Sequence, residues 1–392
     1  MNYILFKYKI SLACQPPKMI SATNRFLNML SHFIIILLTI VFSTMTSQHL
    51  YAGNDMNKKA ESNQVITAVK SGNKYKNWIS TQMLADGNYL SVTWDWIKGG
   101  ERTTPSGDIP VVVLNQKSFP ETIHEGLSFS WLGHSSVLLE ISGCRILIDP
   151  VFSKYASPIP LFVKRFSKPP ITAEQLPKVD IVLITHDHYD HLDKNVVKIL
   201  SRQGSYFLVP EGVGGHLRVW GIPKKKIEEL TWWQQKRYNN LSLACVPARH
   251  FSGRGLFDSD KTLWAGWVIQ SKSKSVYCSG DTGYADHFKA IGEAYGPFDL
   301  TIIKVGAYSE KWPEIHINPE EAVQAHIEVQ GKILLPVHWA TFNLALHPWD
   351  EPIIRTVKAA KEHNVQLTIP FIGEAVNIES TAENKKWWTQ IQ

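Results

Sequence analysis

The stretch Thr185-His186-Asp187-His188-Tyr189-Asp190-His191-Leu192-Asp193 constrains this chain more than any other. It places three imidazoles and three carboxylates directly after an apolar strand candidate, Ile181-Val182-Leu183-Ile184. A loop leaving a strand can turn His186, His188, Asp190 and His191 towards one point. Crowding of that kind costs desolvation and repulsion unless a cation offsets it, so the loop reads as a metal site rather than a polar turn. Imidazole nitrogen and carboxylate oxygen suit zinc, with iron or manganese as alternatives.

Three later residues stand at the ends of strand-like runs. His250 follows Val246-Pro247-Ala248-Arg249, Asp281 follows Val276-Tyr277-Cys278-Ser279-Gly280, and His338 follows Leu334-Leu335-Pro336-Val337. Each alone reads as a hydrogen-bonded residue at a strand terminus. With the cluster they make seven ligands, the number that two metals sharing a bridging carboxylate need. A structural zinc usually closes at four, so seven speak for catalysis over a membrane-attached protein that binds metal without enzymatic activity.

Around these residues the chain reads as short strands in hairpin-rich blocks, from Leu127 onward, interrupted by helices without a βαβ rhythm. That pattern makes the fold class α+β. Helices are expected over Asn195 to Arg202, over Gly214 to Trp220, and from Asn318 to about Val329. In the last, Asn318 caps, Pro319 fits the first position and Glu321 completes a capping box. His326 within it reads as structural, whereas His316 before it could face a pocket. Gly53 to about Ser80 is polar and reads as a mobile linker. Trp94 and Trp96 fall in an apparently extended, turn-rich segment, either marking a membrane or partner surface or packing on the main domain.

The net charge of +6 arises mostly in residues 1–52, which hold four of the 41 basic residues and none of the 35 acidic ones. The near-balance of the remainder excludes a nucleic-acid footprint. The apolar run Phe33 to Phe42 behind that basic stretch reads as a signal peptide, exporting the protein to the periplasm or beyond, with an uncleaved membrane anchor as the rival. Cys144, Cys245 and Cys278 read as buried small hydrophobes, not a disulfide framework.

In order and spacing, His186-x-His188-x-Asp190-His191, His250, Asp281 and His338 resemble the metallo-β-lactamase superfamily signature. The flanks Ile148-Asp149-Pro150-Val151-Phe152, Pro247-Ala248-Arg249-His250-Phe251-Ser252-Gly253-Arg254, Ser279-Gly280-Asp281-Thr282-Gly283-Tyr284, His316-x-Asn318-Pro319-Glu320-Glu321-Ala322 and Trp131-Leu132-Gly133-His134 resemble the N-acylphosphatidylethanolamine-hydrolysing phospholipases D. The resemblance implies a four-layer αββα sandwich with two zinc ions. His186, His188 and His250 would hold one, Asp190, His191 and His338 the other, and Asp281 would bridge them. Asp281 and Asp190 are then the catalytic carboxylates, with His316 and Tyr189 beside the substrate. The implied reaction is hydrolysis of a phospholipid phosphodiester at a membrane surface, and a homodimer is left open. A lactonase or other ester or phosphoester hydrolase of the same fold is the alternative. The expected organisation is a leader over 1–52, an extension and linker over 53–109, a hydrolase domain over 110–375 and a tail over 376–392.

Overall fold

Two seven-stranded mixed sheets carry the cluster residues at their strand ends. The computed structural model describes residues 66–85, 87–121, 126–159, 163–379 and 384–391. The leader expected over 1–52 lies outside the described residues. Among those described, no helix is long and apolar enough to cross a membrane.

The first sheet runs in the order β16 (Ala375–Asn377), β3 (Leu127–Trp131), β4 (Val137–Ile141), β5 (Cys144–Ile148), β6 (Ile181–Leu183), β7 (Tyr206–Pro210), β8 (Ile227–Leu230). The second runs β9 (Gln235–Tyr238), β10 (Leu241–Val246), β11 (Gly266–Gln270), β12 (Ser275–Cys278), β13 (Phe298–Lys304), β14 (Gly331–Val337), β15 (Gln366–Leu367). In each sheet, read in that order, three antiparallel pairings are followed by three parallel ones. The two halves therefore share one plan that the sequence does not display.

The central strands of the first sheet are apolar on both faces, as strands covered on both sides must be. Leu139, Ile146, Ile181 and Leu208 join the core shared with the second sheet. Their neighbours Leu138, Leu147, Val182 and Phe207 pack instead with Val196, Val197 and Leu200 of α2 (Lys194–Gln203) and with Leu217 of α3 (Val213–Val219). On the other side, α5 (Pro319–Glu328) packs on β13 and β14, and α6 (Glu351–Glu362) on β15. The result is an αββα sandwich. The capping box expected at α5 is present: Asn318 Oδ1 accepts from Glu321 N at 2.9 Å, and Glu321 Oε2 accepts from Asn318 N at 3.0 Å. Helices α4 (His287–Tyr295) and α6 are additions to the expected set.

Three expectations need correction. Residues 66–80 are not a mobile linker. β1 (Val69–Ser71) and β2 (Lys74–Lys76) form a hairpin, and buried Trp78 packs edge-on against Trp232 at 5.6 Å and His287 at 5.2 Å. Residues 89–98 are not extended but form α1 (Tyr89–Lys98), because Asn88 Oδ1 accepts from the N–H groups of Leu90 and Ser91 and outweighs the β-favouring side chains. The segment 376–392 is not a detached tail either. Val376 pairs with Phe129, and Trp387 and Trp388 are 1% and 2% exposed, Trp387 stacking on Trp339 at 5.1 Å. The folded domain thus reaches well outside 110–375 at both ends. Trp387→Ala should cost about 3–5 kcal/mol of stability, the usual range for emptying a buried tryptophan site. Chemical denaturation would measure it, and an unchanged midpoint would remove the segment from the core.

Candidate metal centre

Asp149, at the end of β5, organises the His-rich loop. Its carboxylate accepts from Thr185 N at 2.8 Å and Thr185 Oγ1 at 2.6 Å, and meets His191 Nδ1 at 2.8 Å. A carboxylate on one ring nitrogen fixes the tautomer and orientation of the other. His191 Nε2 is thereby aimed at Asp190 and Asp281, each 3.4 Å away. His250 is set in the same way, its Nδ1 donating to Ile315 O at 2.9 Å. His134, Asp149 and His338 occupy the left-handed backbone region, with φ of 51°, 41° and 66°. Strain of this kind gathers at functional sites.

All seven expected ligands come together. His186, His188 and His250 converge, with His186 Nε2 2.8 Å and His250 Nε2 3.4 Å from His188 Nδ1. Asp190 Oδ2 lies 3.4 Å from His191 Nε2 and 3.3 Å from His338 Nε2. Asp281 stands between the groups, 3.1 Å from His338 Nε2 and 4.0 Å from His250 Nε2. His134 joins the second group, its Nε2 2.9 Å from Asp190.

The electrostatics suit a cation. Burial, reinforced by neighbouring imidazoles, holds His186 and His250 well below the ordinary histidine range. Burial also pushes His134 down to about 3. Burial would raise the Asp281 carboxyl, but His338, His191 and Lys304 outweigh it and hold it well below the usual range. His191 Nε2, His338 Nε2 and Asp281 Oδ1 are buried without a hydrogen-bond partner. Buried polar atoms in native proteins are nearly always partnered. Nitrogen and oxygen atoms converging here without partners fit a metal centre.

Above the cluster lies a cavity of about 280 Å³, floored by His188, Asp190, Asp281, His316 and His338. Its walls are mostly apolar, including Met83, Leu84, Phe251, Trp312 and Leu344, with Tyr89 of α1 at one side. His316 is where the sequence reading put it. Tyr189 is not, and lines a separate cavity with His216, Trp220 and Arg254. Arg254 donates to the carbonyls of Asp187 and Leu192, and its guanidinium lies 3.9 Å from the centre of the Tyr189 ring. That stack draws the ring away from the metal cluster.

His134, Asp149 and Lys304 belong to the site without having been singled out. His134 and Asp149 stood only among family-like flanks, and Lys304 carried no signal at all. Asp149→Asn should lower metal affinity about 10–100-fold, the usual cost of losing such an orienting carboxylate. Competition against a chromogenic chelator would read it, and wild-type affinity would deny Asp149 that role.

The chain matches the Beta-lactamase superfamily domain over residues 144–339. It is 44% identical over 306 residues to an uncharacterized protein of Mycobacterium tuberculosis, covering 76% of this chain and 80% of that one. It is also 37% identical over 237 residues to the N-acyl-phosphatidylethanolamine-hydrolyzing phospholipase D 1 of Caenorhabditis elegans, covering 56% of this chain and 65% of the relative. Among solved structures, a possible metal-dependent hydrolase from Veillonella parvula superposes with a TM-score of 0.53 at 16% identity, over 65% of this chain and 100% of that one.

Proposed function

The chain belongs to the metallo-β-lactamase superfamily and is a metal-dependent hydrolase, and from that premise we propose that it hydrolyses the phosphodiester of N-acylphosphatidylethanolamine-like lipids in the manner of a phospholipase D. The observation that carries this reading is the cavity, in which a nitrogen and oxygen donor set floors walls suited to acyl chains. The relative in C. elegans bears that activity in its name. On α1, beside the cavity, Leu90, Trp94 and Ile97 are 72%, 57% and 39% exposed. At spacings of four and three residues they form one apolar stripe, which suits a substrate lying in a membrane surface.

In this reading His186, His188 and His250 hold one metal, Asp190, His191 and His338 the other, and Asp281 faces both. Two zinc ions, or iron or manganese with the same donors, would supply Lewis acidity and make water a nucleophile near neutral pH. The protein's own groups do the rest. His134 holds Asp190, and Asp149 holds His191. Asp281 is placed to orient the attacking water and take its proton, and His316 faces the head group. Water adds its hydroxyl to phosphorus and a proton passes to the departing alcohol, giving phosphatidate and an N-acylethanolamine. Among the described residues no cysteine nucleophile is available, because burial pushes the Cys278 thiol up to about 12 and raises those of Cys144 and Cys245 as well. The test is product analysis with metal-loaded protein on N-acylated and ordinary phosphatidylethanolamine beside lactone and β-lactam panels. N-acylethanolamine release supports the reading, whereas turnover confined to lactones would replace it.

A further inference from the structure

Asn77 follows β2 directly, outside both seven-stranded sheets, and meets the backbone of His250 as a neighbouring strand would. Its Nδ2 donates to His250 O at 2.9 Å, and its Oδ1 accepts from His250 N at 3.1 Å. The same oxygen accepts from Trp264 Nε1 at 3.0 Å, and that nitrogen also reaches Ala248 O at 2.9 Å. Trp264 is 2% exposed, so Asn77 is braced by the core while it holds His250. An amide supplies both the donor and the two-lone-pair acceptor that this geometry needs. Aspartate would set a second acceptor against the His250 carbonyl. Alanine would deprive two backbone groups of a buried residue of these partners.

The sheet does not hold His250 by itself. The ladder between β10 and β11 ends at the pair Val246 and Gly266, four positions before His250. The bond to Ile315 O turns the His250 ring, whereas Asn77 sets the backbone from which that ring projects. Arg249 extends the hold along the same segment. Its Nε donates to Thr81 Oγ1 at 3.0 Å and its Nη2 to Ser80 O at 2.9 Å, and Nη2 pairs with Glu314 Oε2 at 3.0 Å. Just beyond, Met83 and Leu84 wall the cavity. We propose that Asn77 is a positioning residue for His250, so that the ion held by His186, His188 and His250 binds tightly only while residues 77–84 are docked. By the reciprocity of linkage, that ion in turn holds the segment in place. The inference rests on the reading of His250 as a metal ligand and needs no particular substrate.

The test is competition for zinc between metal-free full-length protein and a chromogenic chelator. His250→Ala identifies the ion concerned as the one it loses. Asn77→Ala should weaken that same ion about 10–100-fold, the usual effect of losing a group that orients a ligand, and weaken the other far less. Added to His250→Ala, it should cost no further affinity, because Asn77 acts through that ring. Hydrogen exchange of the wild type is the second measurement, and zinc should slow it over residues 77–84 by a larger factor than over β16. Unchanged zinc affinity in Asn77→Ala, equal weakening of both ions, or no ion lost in His250→Ala overturns the proposal. So does exchange over 77–84 that zinc slows no more than it slows β16. Should Asn77→Ala not fold, the wild-type exchange alone decides. Neither measurement uses a substrate, so a failed lipid assay and a failed positioning role are distinguishable.

Discussion

Asp281→Asn is expected to lower hydrolysis by at least about 10³-fold, the upper range for removing one preorganised electrostatic group, while the protein stays folded. Asp281 is 3% exposed and, among the described residues, is the one carboxylate that approaches ring nitrogens of both groups, from His191 and His338 on one side to His250 on the other. An amide keeps the shape but offers one oxygen in place of two and brings N–H donors towards atoms that must themselves donate electron pairs. Bound metal should fall below the wild-type level together with turnover. Full metal content and wild-type rates in the asparagine variant would dismiss Asp281 as the shared ligand.

The second large effect is metal removal. Chelation should abolish turnover and lower the melting temperature by roughly 5–10 °C. That range follows from about 2.7 kcal/mol for a ligand at a hundred times its Kd and a few degrees per kcal/mol for a domain of this size. The chelated protein should also lose stability on acidification. His134, His186, His188, His250 and His316 all have folded-state pKa values below the ordinary range, with burial the largest cause in each. Such groups take up protons in the unfolded chain as pH falls through about 6.5 but not in the folded one. Stability is therefore lost from about pH 6.5 downward. His191 is shifted the other way, since Asp281, Asp190 and Asp149 outweigh burial, but it stands alone against five. Asp190 and Asp281, held low, add their loss only as pH approaches 4 and below. Calorimetry of chelated and loaded protein between pH 5 and 8 would measure this, and coincident melting curves would refute it.

The seven cluster residues were legible because their signals are local. Four fall within six positions, and the other three each end an apolar run. The groups that orient them were not legible, because they depend on which strand ends become neighbours. Asp149 acts on His191 only because β5 and β6 run side by side, and Lys304 meets His316 only across a loop. Tyr189 sits in the most informative stretch of the chain, yet Arg254, 65 positions later, decides its direction. At the ends, composition misled. The polar run before Trp78 hides a hairpin that plugs the sandwich, and Asn77 in it bonds the backbone of His250 in both directions. At the other end Trp387 and Trp388 are plain in the sequence, but nothing local says which wall of the domain they complete.

Strand β16 gives the assembly of this enzyme an order in time. The first sheet begins at β3, yet its outer neighbour is supplied by residues 375–377, where Ala375 meets Ser130. A chain emerging from the ribosome will have made all seven residues of the cluster, the last being His338, before it can close that edge or seat Trp387. Pairings between such distant segments are slow, because loop closure must precede any gain from the contact. Closure of the first sheet and seating of Trp387 are consequently late steps in folding. An unfinished chain exposes the open flank of β3, the kind of edge on which strands of other chains add.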